Sequence, residues 1–211
     1  MATVLSRFEQ EPLLVHTAPG LEMDDHGFFR FCQANRDLRI ERNSKGDLII
    51  LPPVSGGGSR ANAELTADFI IWARRDGTGS VFDSSGGFIL PNGATRSPDV
   101  AWVRNDRLDA LEDDALDEFV RLCPDFVLEL RSPNDSLRTL NAKMREYLQN
   151  GARLGWLIDP QQKQVHVYRG RAEPEVLDNP AKIAGNPVLK GFVLSLAKVW
   201  MATRSKPKKG K

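Results

Sequence analysis

The stretch PDFVLELRSP, from Pro124 to Pro133, places a glutamate inside an otherwise apolar run. Side chains alternate between the two faces of a strand, so Glu129 shares its face with Val127 and Arg131. Because both faces also carry apolar residues, the stretch predicts a central strand that is covered on both sides. A carboxylate in such a strand has to be paired, protonated or bound to a metal.

Two interpretations of this glutamate stay open at the level of the strand. A structural ion pair between Glu129 and Arg131, or another cation, is one, because perturbed carboxylates are often structural. The other is a functional site shared with Asp99, which begins the apolar strand SPDVAWV and by itself is typical of a turn. If the two strands are neighbours, both carboxylates point into one pocket, where a divalent cation would relieve their repulsion.

Two further charged residues are candidates for the same pocket. Lys143 lies on the apolar stripe of the next predicted helix, three residues after Leu140 and four before Tyr147. Its stem could simply pack on apolar surface while the ammonium reaches solvent, or the ammonium could hold a water or a phosphate oxygen beside the carboxylates. Glu64 lies near the start of the helix after the glycine loop, where a solvated glutamate is also favoured by the helix dipole.

Length and composition describe an ordinary globular chain. The 211 residues are 41% hydrophobic and 27% charged, which predicts one domain, or two small ones, and argues against disorder. A net charge of +1 means that any nucleic-acid surface must come from local clustering of charge. No apolar run reaches the ~20 residues of a membrane span. The N-terminus lacks the apolar block of a signal peptide.

The cysteines and histidines restrict location and metal chemistry. Cys32 and Cys123 are far apart and in no metal-ligand spacing, which fits a reducing cytoplasm better than a disulfide framework. Only three histidines occur, so a zinc site with several His or Cys ligands is not expected. We therefore expect a cytoplasmic protein.

The chain divides into an arm, one domain and a tail. Residues 1–22 show no periodicity and are predicted to form an N-terminal arm, and residues 23–203 form the predicted domain. The tail, residues 204–211, is basic and has no core residues, which predicts disorder. Within the domain, the order of helix, strands, helix and strands predicts an α/β or α+β fold with a mixed sheet. The predicted elements are helices starting at Asp24 or Asp25, at 61–75 and at 134–149, a loop at 55–59, hairpins at 38–51 and 156–169, strands at 80–83, 87–90, 98–103 and 126–131, and an acidic connection at 106–118.

The four candidate site residues form a pattern along the chain. It consists of a helix glutamate, a strand Pro-Asp, a strand glutamate followed by Ser-Pro, and a helix lysine. Together with the stretches GGFILPNGATRSPDVAWV, PDFVLELRSPNDSLRTLNAKMREYLQNGARLGWLIDP and VHVYR, this set resembles the Uma family of restriction endonucleases. That family lies within the restriction-endonuclease-like superfamily with the PD-(D/E)XK motif. The resemblance covers residues 23–200, and the helix start RANAEL fits one branch of the family.

The resemblance implies an α/β/α core with a central mixed β-sheet and a DNA-cleaving site that uses Mg²⁺ or Mn²⁺. Asp99 then corresponds to the aspartate of the Pro-Asp element, Glu129 to the acid of the following strand, and Glu64 to a helix glutamate that supports the metal. The superfamily pattern has a lysine where this chain has Arg131, which cannot give up a proton. The Uma family takes its lysine from the next helix, where Lys143 lies. Superfamily members are often dimers, so a homodimer is also expected.

The resulting hypothesis is metal-assisted hydrolysis of a DNA phosphodiester. Asp99, Glu129 and Glu64 would hold the ion, and Lys143 would orient the nucleophile or stabilise the developing negative charge. Contacts with the DNA backbone would come from local basic residues, with Arg60, Arg74, Arg75 and the tail as candidates.

Three alternatives remain open. The same fold could serve as a catalytically inactive module that binds DNA or a protein. Asp99 and Glu129 could instead work as a metal-independent acid/base pair, as in glycoside hydrolysis, which would favour aromatic sugar platforms near the pocket. Trp72, Trp102 and Trp156 occur in apolar patterns and are predicted to lie in the core, which counts against that alternative. The charged residues could also form a purely structural buried network.

Overall fold

A computed structural model describes residues 11–203, in which helices and strands are interspersed along the chain. The helices are α1 Asp25–Ala34, α2 Gly56–Asp76, α3 Asn105–Leu108, α4 Leu137–Gln149 and α5 Ala197–Ala202. The strands are β1 Leu13–Val15, β2 Arg39–Arg42, β3 Leu48–Leu51, β4 Gly79–Asp83, β5 Phe88–Ile89, β6 Thr95–Arg96, β7 Val100–Arg104, β8 Phe126–Leu130, β9 Leu154–Asp159, β10 Gln164–Tyr168, β11 Glu175–Asp178, β12 Lys182–Ala184 and β13 Val193–Ser195.

The larger sheet has six strands in the order β11-β10-β9-β8-β7-β4. Its β8–β9 pair is parallel and its other neighbours are antiparallel, so the predicted mixed sheet is confirmed. All five residues of β8 are buried, as expected for a central strand. Helix α4 connects β8 to β9, which provides the crossover that a parallel pair requires.

Each face of this sheet is covered by a separate apolar cluster. Leu65 and Phe69 of α2 pack on one face together with Val100 and Leu128. Met144 and Tyr147 of α4 pack on the opposite face. Gly155 of β9 helps α4 to lie close, since a Cβ there would come within 2.5 Å of the Met144 methyl group. The two covered faces confirm the predicted α/β/α layers.

A second sheet, in the order β1-β3-β2-β6-β5, contains the predicted hairpin of residues 38–51. The Asn43 side chain accepts hydrogen bonds from the backbone amides of Lys45 and Asp47, at 2.9 and 3.0 Å, which closes the turn. Two of the strands were not predicted, because β1 lies inside the predicted arm and β6 inside a predicted turn. Strands of two or three residues are too short to show a period in the sequence.

Several boundaries differ from the predicted ones. Helix α2 begins at Gly56, not near residue 61, because the Ser55 hydroxyl caps it by accepting from the Gly58 amide at 3.2 Å. The predicted loop at 55–59 is therefore wrong. Ser136 caps α4, which starts slightly later than predicted. The predicted tail, residues 204–211, and the first ten residues of the arm lie outside the described residues. Within residues 11–203, no helix has the length and hydropathy needed to cross a bilayer.

Candidate active site

A cavity of about 780 Å³ lies between the second sheet and one end of the larger sheet. The N-terminal ends of α2 and α4 complete its walls. Three of the four predicted site residues line it, and Glu64 is not among the lining residues. The charged lining residues are Glu11, Arg39, Glu41, Arg96, Asp99, Glu129, Asp135, Lys143 and Glu146.

Asp99 and Glu129 are brought together by the pairing of β7 with β8. This antiparallel pair aligns Val100 with Leu128, so Asp99 and Glu129 are the next pair along the register. The Leu130 amide donates to Oδ2 of Asp99 at 2.8 Å, and Nδ2 of Asn62 donates to Oδ1 at 3.0 Å. Both oxygens of Asp99 are thus anchored, one by the backbone of β8 and the other by α2.

The electrostatics of these two carboxylates follow from their burial. Burial raises the pKa of Asp99, against the opposing effects of the Leu130 amide and the Lys143 charge. Burial also raises the pKa of Glu129, to about 7, and the nearby charge of Asp99 adds to that rise while Lys143 opposes it. Two carboxylates in this arrangement resist ionising together, and a divalent cation would remove that resistance.

Lys143 does not extend into solvent, and its side chain is only 13% exposed. Its ammonium nitrogen lies 2.7 Å from Oε1 of Glu129 and 2.8 Å from Oε1 of Glu41. Burial by itself lowers the pKa of Lys143, but the charges of Glu129 and Glu41 outweigh burial and leave that pKa above its ordinary value. Lys143 is therefore a fixed cation at neutral pH and not a proton acceptor.

Glu41, on β2, is a site residue that the sequence did not reveal. It is 2% exposed and accepts hydrogen bonds from Lys143, from the Ser97 amide at 3.1 Å and from the Arg96 guanidinium at 3.1 Å. Burial by itself raises the pKa of Glu41. The charges of Lys143 and Arg96 lower it by more, so the pKa of Glu41 lies below its ordinary value. The strand Arg-Ile-Glu-Arg looks like a solvent-exposed edge, so no signal in the sequence separates Glu41 from a surface residue.

The network continues through Tyr147 and Glu146 of α4. The Tyr147 hydroxyl donates to Oε1 of Glu129 at 3.0 Å, and burial raises the pKa of Tyr147, which keeps the hydroxyl protonated. Nε of Arg96 donates to Glu146 at 2.7 Å. Oε1 of Glu129 is thus held by two donors, while its Oε2 has no hydrogen-bond partner in the described part of the chain.

The structure does not bring Glu64 to the other three residues. Its carboxylate is 39% exposed and accepts a hydrogen bond from Lys198 at 2.8 Å, on the side of α2 that meets α5. Residues two apart on a helix do not face the same way, so α2 presents Asn62 to the cavity instead. The Oδ1 atom of Asn62 is buried and has no partner among the described residues.

Arg131 occupies the place where the superfamily pattern has a lysine, and its role here is structural. One of its guanidinium nitrogens lies 2.6 Å from the fully buried carboxylate of Asp159, and its Nε donates to the Asp135 carbonyl at 3.1 Å. The predicted alternative was an ion pair of Glu129 with Arg131 or with another cation. The pair with Arg131 does not form, and the cation beside Glu129 is Lys143.

The donor set can be compared with the needs of a metal ion. Within residues 11–203, no group of three or more His, Cys, Asp or Glu side chains is arranged to hold a metal. Asp99 and Glu129 still present two cavity-lining carboxylates, and Mg²⁺ is usually held by one or two carboxylates together with waters and phosphate oxygens. The unpartnered Oε2 of Glu129 fits such an ion.

Comparisons with known proteins agree with this architecture. A search of functionally curated proteins found no match. The chain is similar to a solved structure described as a "putative nuclease belonging to DUF820" from Anabaena variabilis, with a TM-score of 0.68 and 22% sequence identity. That likeness covers 77% of this chain and 90% of the other, and at this identity it shows the fold alone. A family profile, Uma2, with the description "Putative restriction endonuclease", matches residues 26–197, and the chain therefore belongs to that family.

Proposed function

We propose that this protein is a divalent-metal-dependent endonuclease that hydrolyses DNA phosphodiester bonds at a PD-(D/E)XK-type site. The observation that carries the proposal is the convergence of Asp99, Glu129 and Lys143 in one cavity, from two neighbouring strands and the following helix. Membership of a family with a restriction-endonuclease description supports the reaction class. The structural match supports the fold on which such sites are built.

Asp99 and Glu129 would hold the ion, which when bound would polarise a phosphate oxygen and lower the pKa of a bound water. Lys143, as a fixed cation, would stabilise negative charge on the phosphoryl oxygens in the transition state. Glu41 would keep the ammonium of Lys143 in place. Asn62 would likewise keep Asp99 in place, and Glu64, which was expected to help hold the metal, takes no part in this proposal.

DNA binding would use basic residues near the cavity. Arg39 lines the cavity, and Arg60 is exposed at the same end of α2 as Asn62. Arg74 and Arg75 lie in the last turn of α2, about 18 Å along the helix axis from Asn62. We therefore assign the phosphate contacts nearest the cleavage site to Arg39 and Arg60, and expect binding to weaken steeply with salt.

The test is cleavage of supercoiled plasmid DNA with Mg²⁺ or Mn²⁺. We expect nicking by the wild-type protein, and a loss of at least about 100-fold in Asp99→Ala and in Glu129→Ala. Glu173→Ala is the matched control, because Glu173 is an exposed carboxylate that pairs with Arg145 away from the cavity. Equal cleavage by the wild type and both site variants would mean a contaminating nuclease or a wrong site.

One observation favours a second candidate, an inactive DNA-binding or protein-interaction module. Lys143 already supplies a cation to Glu129 and Glu41 from within the chain, so these two acids have a partner without a metal. This candidate predicts no heat of Mn²⁺ binding in a calorimetric titration, whereas the nuclease proposal predicts saturable binding that Asp99→Ala abolishes. The cytoplasmic location, which the free thiols of Cys32 and Cys123 support, and the homodimer both stay predictions.

A further inference from the structure

The ammonium of Lys143 lies between two carboxylates in the manner of a bound cation. Its nitrogen is within 2.8 Å of one oxygen of Glu41 and one oxygen of Glu129, and both carboxylates are at least nine-tenths buried. An ammonium in this position offsets the repulsion between two buried acids, as a metal ion placed between them would. The acid that remains for a metal beside Glu129 is Asp99, on the neighbouring strand.

The two glutamates differ in how many of their carboxylate oxygens already have a partner. Each oxygen of Glu41 already accepts from at least one donor: Lys143 and the Ser97 amide bind Oε1, and Arg96 binds Oε2. Glu129 uses Oε1 for Lys143 and Tyr147, and its Oε2 has no partner in residues 11–203. Both oxygens of Glu41 are thus bound by Lys143 or Arg96, whereas Oε2 of Glu129 is available to bind a metal ion.

We propose that the site of this protein takes a single divalent ion, between Asp99 and Glu129, because the Lys143 ammonium fills a second cation site between Glu41 and Glu129. The proposal rests on the proposed function and adds to it the number of ions and the residue that sets that number. Removing the ammonium would leave Glu129 without a cation and Glu41 with Arg96 alone, which is costly unless another cation enters. A divalent ion of suitable size would enter there, since carboxylate oxygens are its preferred ligands.

The experiment is a calorimetric titration of each purified full-length protein with Mn²⁺, with the electron paramagnetic resonance spectrum of the bound Mn²⁺ as a second readout. We expect one ion per chain in the wild type and two in Lys143→Met, with spin coupling between the two ions in the variant. The matched control is Arg145→Met, two residues further along α4, where an exposed guanidinium pairs with the surface residue Glu173. We expect one ion in this control.

A double variant, Glu41→Gln with Lys143→Met, removes one carboxylate of the new site and should return the number of ions to one. If Lys143→Met unfolds without metal, circular dichroism with increasing Mn²⁺ is the second measurement, and we expect Mn²⁺ to restore its fold. Failure of Mn²⁺ to restore the fold would overturn the inference. So would two ions in the wild type, or one ion in folded Lys143→Met, and in both cases the nuclease proposal would stand. No ion in the wild type would overturn the proposed metal site together with this inference.

Discussion

Oδ2 of Asp99 accepts a hydrogen bond from the backbone amide of Leu130 at 2.8 Å, so the acid that precedes β7 is attached to the strand that carries Glu129. The attachment continues the register in which Val100 lies opposite Leu128. Asp99 lies in the bend before β7, and the strand pairing together with this hydrogen bond holds it beside Glu129. A site built in this way is preorganised, because moving one acid away from the other would require breaking the bond to the Leu130 amide.

Asp99→Asn separates the proposed catalytic role of Asp99 from its structural role. The pKa of Asp99 is raised by burial, so its ionised form is less favourable in the folded protein than in the unfolded chain. Removing the charge should leave the melting temperature at pH 8 unchanged or higher, while plasmid cleavage falls by at least about 100-fold. The hydrogen bonds can be kept, because rotation of the Asn62 amide would turn its unpartnered Oδ1 towards the new amide group.

Differential scanning fluorimetry and plasmid nicking on the same preparation check this prediction. Asp106→Asn is the control, since Asp106 is an exposed carboxylate that pairs with Arg104. Retained cleavage by Asp99→Asn would show that the negative charge of Asp99 has no part in the reaction.

Glu41→Gln tests the residue that the sequence did not reveal. The substitution keeps the shape of the side chain but removes the charge beside Lys143 and Arg96. Because it leaves buried cations with fewer partners, we expect a loss of about 3 kcal/mol in the free energy of unfolding. Urea denaturation followed by circular dichroism measures that loss, and the same substitution at the exposed Glu173 should change it little. A free energy of unfolding equal to that of the wild type would mean that the ion pairs of Glu41 contribute nothing to the fold.

Arg131→Lys restores the lysine of the superfamily pattern, and we expect no gain in cleavage from it. Arg131 does not line the cavity, and its guanidinium bonds both Asp159 and the Asp135 carbonyl. A lysine cannot reproduce this forked arrangement, so the free energy of unfolding should fall by about 1–2 kcal/mol. The control is Arg169→Lys, at an exposed position after β10, where we expect no loss. A rise in the rate of plasmid nicking in Arg131→Lys would contradict the structural role that we assign to this arginine.

His166 should make the stability of the fold depend on pH. Burial lowers its pKa below the ordinary value of 6.5, Arg131 lowers the pKa further, and Asp159 opposes them. Below pH 6.5 the unfolded chain therefore binds more protons at this residue than the folded protein does. It follows that the free energy of unfolding falls as the pH drops below 6.5 towards the lower pKa of the folded state.

The measurement compares urea denaturation of the wild type and of His166→Leu between pH 5 and pH 8. The difference in free energy of unfolding between the two proteins should be constant above pH 7, and should shift in favour of the variant at lower pH. A difference that does not change with pH would show that His166 has the same pKa in the folded and unfolded states.

Much of the site was predictable because its residues stand out against their neighbours in the sequence. Glu129 interrupts an apolar strand, Asp99 begins another, and Lys143 lies on the apolar stripe of a helix. Each breaks the local apolar pattern, and such breaks are expected at functional or strained sites. Glu64 and Glu41 show where this reasoning fails. Each glutamate has an apolar residue next to it in the chain, Ile40 or Leu65, and this context does not say which glutamate points inwards.

By itself, the sequence determined the class of the fold, the central strand with its buried acid, and the crossover helix that carries the lysine, because the periodicity of apolar side chains reports which face of an element is buried. Only the tertiary structure decided which charges meet. Glu41 reaches Lys143 across 102 residues, while Glu64 pairs with Lys198 on the other side of α2. The physical reason is that an ion pair depends on distances of a few ångströms between elements, and those distances are set by how the two sheets and the helices pack.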